Sequence, residues 1–158
     1  MKRRVYIETS VISFLTARLS GNVVLAGHQS STREFWIHRK RYELFISDLV
    51  VRECEKGDGG QARLRVEAIA GLPLLDVDPE VEALASELIG KKAVPENSVE
   101  DALHIAVAAV NNVDFIVTWN FKHINNPAMK RHIGNVVLGM GYGMPEICSP
   151  EELEEADL

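Results

Sequence analysis

The chain has 158 residues, of which 46% are hydrophobic and 25% charged, a balance that suits one folded domain and excludes the low hydrophobicity of disordered chains. Its net charge of -6 excludes a surface that attracts polyanions as a whole, so a nucleic-acid partner requires local basic patches or a bound cation. Cys54 and Cys148 stand apart from any zinc-type spacing, no apolar run reaches the ~18 residues of a membrane span, and the apolar stretch after Met1-Lys2-Arg3-Arg4 is too short for an export signal. The expected setting is therefore reducing and cytoplasmic, with no membrane partner.

Val5-Tyr6-Ile7 is a short β-type run ending at Glu8. A helix is expected from Ser10 to Leu19, a break at Ser20-Gly21-Asn22, and a second helix from Val24 to Arg39. Leu44-Phe45-Ile46 reads as a buried strand. Ser47 or Asp48 then caps a short helix that carries Glu53 and runs through Lys56 to Gly57. A further helix spans Gln61 to Ala70, and Leu72 to Val77 reads as a strand.

After Asp78-Pro79, the residues Val81, Leu84, Ala85, Leu88 and Ile89 form an amphipathic stripe at helical spacing. Ser98 and Asp101 have the spacing of a capping box at the start of a helix that is apolar nearly all round, hence central. Phe115-Ile116-Val117 is the continuous apolar run of a strand buried on both faces. A short helix follows Pro127, Val136-Val137-Leu138 is a candidate strand, and Ser149-Pro150-Glu151-Glu152 opens a last helix. Strands and helices in alternation imply an α/β fold, a three-layer α/β/α sandwich around a mostly parallel sheet, with residues 1–158 in a single domain.

Ligands of open parallel sheets bind beyond the carboxyl ends of the strands. Glu8 ends the first strand, Glu53 follows the second by one to two helical turns, and Asn120 lies just past Val117. Asp101 is in the first turn of the central helix. Each has an ordinary alternative: a helix cap for Asp101, a solvated helix face for Glu53 beside Arg52, Glu55 and Lys56, and a turn residue for Asn120. Glu8 is harder to explain without function, because an unpaired charge at the end of a buried strand is costly.

Four stretches, Val5-Tyr6-Ile7-Glu8-Thr9-Ser10, Ser47 to Glu53, Asp101-Ala102-Leu103-His104-Ile105-Ala106 and Val117-Thr118-Trp119-Asn120, carry a resemblance to PIN domains that spans nearly the whole chain. PIN domains are the fold of many VapC-type ribonuclease toxins. The resemblance implies a divalent-metal-dependent endoribonuclease that hydrolyses RNA with metal-activated water and serves as the toxin of a type II toxin–antitoxin pair. It implies Glu8, Glu53 and Asp101 as ligands of Mg²⁺ or Mn²⁺, with Asn120 as a fourth catalytic position. Glu53 and Asp101 match the family's acidic positions unchanged, while Glu8 replaces the usual Asp and Asn120 commonly corresponds to Asp.

Such chemistry needs the cluster: carboxylates hold an ion that activates water and offsets charge on phosphate, and without the ion they would repel the phosphate and one another. Thr9 and Thr118 would supply supporting hydrogen bonds, and Lys122, His123, Lys130 and Arg131 are candidate contacts to RNA phosphates. His104, one turn after Asp101, is expected to pack against neighbours rather than act. Phe35 and Trp36, among Arg33, His38, Arg39, Lys40 and Arg41, mark a core-facing helix side rather than a base platform, and the family suggests a homodimer through this early region. A small antitoxin protein is the implied partner. The alternative function is a PIN-like nucleic-acid-binding or assembly module with little nuclease activity.

Overall fold

The computed structural model describes residues 1–156. Its five strands are β1 (Arg4–Ile7), β2 (Glu43–Ser47), β3 (Leu74–Leu75), β4 (Phe115–Val117) and β5 (Glu146–Cys148), all parallel, in the order β3-β2-β1-β4-β5. The chain winds outward from β1 through β2 to β3, then returns to the other side of β1 for β4 and β5. Crossovers between parallel strands are right-handed, so this reversal of direction puts the connecting helices on opposite faces of the sheet. The helices group accordingly: α1 (Thr9–Thr16), α2 (Val23–Ile37), α3 (Asp48–Cys54), α4 (Gly59–Ile69) and α8 (Pro150–Ala156) pack with one another. On the other side, α5 (Pro79–Gly90) packs against α6 (Val99–Val110) and α7 (Pro127–Gly139). The result is a three-layer α/β/α sandwich with a fully parallel sheet.

Burial follows the sequence pattern. Val5, Tyr6 and Ile7 are all buried, as are Ile116 and Val117, because helices cover both faces of the sheet. The stripe of α5 contributes Val81, Leu84, Ala85 and Leu88 to the core, and α6 is buried from Ile105 through Ala109. Both belong to one continuous core cluster that also takes in residues of the outer layers, among them Phe35, Ile133 and Leu153. Among the described residues no helix is long and apolar enough to cross a membrane.

Three local expectations require correction. Val136-Val137-Leu138 is not a strand but the end of α7, which Asn126 caps by accepting from Ala128 N–H and Pro127 opens at its first turn. Ile133, Val136 and Val137 are buried at helical spacing, while Leu138 faces out, so the apolar triplet is two core contacts and one surface residue. The strand that does follow β4 is β5, at Glu146–Cys148, a segment the sequence pattern did not single out. The third correction concerns α6. Ser98 makes no side-chain cap bond, and the expected box with Asp101 does not close.

Several bounds also move. The first helix ends at Thr16, α2 ends at Ile37 before a 3-10 turn at Arg39–Arg41, α3 stops at Cys54, and the expected strand 72–77 contracts to β3. Phe35 is fully buried, as its helical face predicts, and Trp36 is half-buried under the Arg39 guanidinium.

Candidate acidic site at the crossover reversal

The strand order reverses between β1 and β4, and at such a point the two loops leaving the strands part to opposite sides, opening a crevice at the carboxyl end of the sheet. Register fixes what lines it. Tyr6 pairs with Phe45 on one side and Ile116 on the other, so Glu8, Ser47 and Thr118, each two residues further along, project from the same face as Tyr6. Four polar side chains thereby meet on one face of the sheet from three different strands.

Glu8 is only 6% exposed, and its Oε1 accepts hydrogen bonds from the Ser10 and Thr118 hydroxyls, both at 2.5 Å. The Thr118 oxygen also accepts from Asn120 N–H (2.9 Å), and the Ser10 oxygen from Trp119 N–H (2.8 Å). The strand-end carboxylate is therefore buried with no cationic side chain paired to it among the described residues, held by hydroxyls that the backbone after β4 locks in place.

Asp101, freed from the helix cap, turns toward that same backbone. Its Oδ1 accepts from the Asn120 side-chain amide (3.1 Å), and its Oδ2 lies 2.9 Å from His123 Nδ1. A carboxylate only accepts, so Nδ1 of His123 carries the proton, and the Ser98 hydroxyl 3.1 Å away shares that nitrogen. Asn120 is itself fixed: its Oδ1 accepts from the N–H groups of Lys122 and His123, at 3.2 and 3.0 Å. A chain of hydrogen bonds thus runs from Glu8 through Thr118 and Asn120 to Asp101.

Glu53 enters from α3. Its Oε1 accepts from the Thr9 hydroxyl (2.6 Å) and from His104 Nε2 (2.7 Å). His104 is 1% exposed, and its Nδ1 shares a 2.7 Å bond with the Tyr6 hydroxyl, which bonds in turn to Ser47 Oγ at 2.8 Å. Burial alone would lower the His104 pKa, but the hydrogen bond to Glu53 and the charges of Glu8, Glu53 and Asp101 outweigh it, and the net shift is upward. Burial would likewise raise the Glu53 pKa. The His104 hydrogen bond and charge, the Thr9 hydroxyl and Lys56 outweigh it and hold the carboxyl below its usual range. Tyr6 moves well upward, through burial first and then through the charges of Glu8 and Glu53, with only the Ser47 bond opposing.

The field of all three acids thus reaches one buried imidazole, which ties α3 to α6 across the end of the sheet. His104 is packed, as expected, but it is also a hydrogen-bonding centre. Its role was not legible in the sequence, because its partners come from β1, β2 and α3, far apart in the chain. Ser10 was likewise missed; a hydroxyl two residues after Glu8 was its only signal.

As the side chains stand, no group of three or more His, Cys, Asp or Glu among the described residues is gathered closely enough to hold a metal ion. The donor chemistry nevertheless suits a hard divalent cation. Oε1 of Glu8 and Oε1 of Glu53 are committed to protein donors, whereas among the described residues nothing bonds Oε2 of either. Of the basic candidates, Lys122 and Arg131 are exposed, His123 is half-buried against Asp101, and Lys130 Nζ is turned to the Ile147 carbonyl at 3.3 Å.

The site and fold define an α/β protein with a hydrogen-bonded acidic group at the reversal of its parallel sheet. The chain matches no family model, no curated protein and no solved structure.

Proposed function

We propose that the protein is a divalent-metal-dependent ribonuclease of the PIN type, acting on RNA phosphodiesters at the crevice between β1 and β4. The observation that carries this reading is a hydrogen-bonded acidic group at the carboxyl end of the sheet, in which Glu53 bonds buried His104 and Glu8 is linked through Thr118 and Asn120 to Asp101.

Glu8, Glu53 and Asp101 would hold Mg²⁺ or Mn²⁺. Bound there, the ion supplies an activated water and charge compensation at phosphate. The chain's own residues do the positioning. Ser10 and Thr118 fix Glu8 and leave its second oxygen open; Thr9 and His104 do the same for Glu53. Asn120 keeps an oxygen toward the 122–123 backbone and an amide toward Asp101, so it orients a carboxylate rather than adding one. Lys122, two residues after Asn120, is exposed and unpaired among the described residues, and would meet an RNA phosphate.

The test is cleavage of a mixed RNA with Mg²⁺ or Mn²⁺, beside a chelator control and Asp101→Asn, with calorimetric titration of Mn²⁺ as a second readout. Cleavage and Mn²⁺ binding that both fail in Asp101→Asn are the expected result. Folded, inhibitor-free protein that neither binds Mn²⁺ nor cleaves RNA would overturn the reading. The binding-module reading then takes its place, favoured by the present spread of the acidic side chains.

A further inference from the structure

Beside the acidic crevice stands an aromatic group that the chemistry above leaves unused. The His28 and Trp119 rings are stacked, with centroids 4.1 Å apart and planes 17° from parallel. Trp119 is buried and anchored by its Nε1–H, which donates to Thr32 Oγ1 at 2.8 Å. Phe121 sits against both rings, 6.0 Å from His28 and 5.9 Å from Trp119, at 81° and 84° to their planes. Its side of the cluster is open: Phe121 is 47% exposed.

An exposed phenylalanine costs solvation, and here the backbone holds it out in one orientation. Phe121 N–H donates to the Trp119 carbonyl, the Asn120 side chain accepts from the next two amides, and Asn125 N–H closes the loop onto the Asn120 carbonyl at 2.8 Å. A ring presented on so tied a loop loses little freedom when something stacks on it. Its neighbours in sequence are Asn120, bonded to Asp101, and Lys122, whose ammonium has no partner among the described residues. A half-exposed aromatic ring, a cation unpaired among the described residues and a side chain bonded to Asp101, on three consecutive residues, match a base, its phosphate and the bond to be cut.

We infer that Phe121, backed by Trp119 and His28, is a stacking platform for an unpaired nucleobase next to the scissile phosphate. The inference rests on the ribonuclease reading and adds to it the part of the substrate that is recognised. A base inside a duplex has both faces covered and has none to offer the ring. Stacking is tolerant of base identity, so the platform selects strandedness more than sequence.

The experiment scans a single abasic nucleotide through a single-stranded RNA and measures kcat/KM for wild type, Phe121→Leu and Phe121→Trp, with Mn²⁺ supplied. In parallel, fluorescence anisotropy follows binding of the labelled intact strand, and melting temperatures confirm that each variant folds. At one position flanking the cleaved bond, base removal should slow wild type about 5- to 100-fold. Phe121→Leu should show a loss of similar size on intact RNA and be indifferent to the abasic nucleotide, while Phe121→Trp keeps activity. Leu at 121 cleaving and binding as wild type does, or an abasic penalty that persists in that variant, overturns the platform and leaves the nuclease standing. If wild type cleaves nothing, the nuclease reading fails; anisotropy then decides, weaker binding by Phe121→Leu supporting the platform and equal or absent binding overturning it.

Discussion

Helices α6 and α8 both begin with serine three residues ahead of an acid, Ser98 with Asp101 and Ser149 with Glu152, and they use the pair in opposite ways. At α8 the box closes: Ser149 N–H donates to Glu152 Oε1 at 2.9 Å, and Glu152 N–H to Ser149 Oγ at 3.1 Å. At α6 neither bond forms. The Ser98 amide is satisfied by the Pro95 carbonyl, its hydroxyl turns to His123, and the Asp101 carboxylate goes to Asn120 and His123. One acid completes its own helix, and the other is released toward the crevice. Departure from a local rule, where the same chain obeys it elsewhere, marks the residue whose position is set by something other than helix stability.

The sharpest break of this comparison exchanges activity for stability. Asp101→Ala should abolish RNA cleavage by on the order of 10²-fold or more while leaving the denaturant midpoint nearly unchanged. Glu152→Ala and Ser149→Ala should do the reverse, each costing about 1 kcal/mol in chemical denaturation with cleavage intact. A large stability loss in Asp101→Ala would show that its carboxylate serves the fold after all.

A smaller effect follows pH at Glu152. Partial burial would raise the Glu152 pKa, but hydrogen bonds from Ser149 and Asn125 and the Lys130 charge hold it below the usual range. Because the folded-state value is depressed, its contribution to stability is present above the unfolded value near ~4.3 and is lost as pH falls through the folded one. Thermal melts of wild type should therefore drop more than those of Glu152→Gln across that interval, and identical profiles would contradict the bond pattern. The smallest effect belongs to Ser98→Ala. With no cap bond to lose, it gives up only the bond its hydroxyl shares with His123, and its cost should stay below that of Ser149→Ala.

The same contrast explains what was legible in the sequence. The stripe of α5 and the run Phe115-Ile116-Val117 are local, periodic signals, and both elements form where those signals lie. The pair Ser149 and Glu152 is local too. By comparison, β5 is only three residues long and exists because its backbone pairs with β4, from Phe115 with Glu146 to Val117 with Cys148, a bond pattern the segment itself does not announce. Val136-Val137-Leu138 misled for the mirrored reason, since three adjacent apolar residues on a helix look like a strand until the flanking cap is weighed. Glu8, Glu53, Asp101 and Asn120 could be picked out because they follow apolar strands or open a central helix. Their bonding could not: Ser10, His104 and Tyr6 acquire their roles from register and from contacts between layers.

Placing the first strand in the middle of the sheet has a consequence for how the protein is made. A chain emerging from the ribosome exposes β1 early, yet Glu8 gains its Thr118 partner only when β4 has been synthesised and inserted beside β1. Parallel pairings of such long sequence separation form late, after the intervening helices have closed the loop. Fragments ending before residue 115 carry Glu8, Glu53 and Asp101 but lack the strand that supplies Thr118 and Asn120, so the strand order makes the acidic group complete only once β4 has been made.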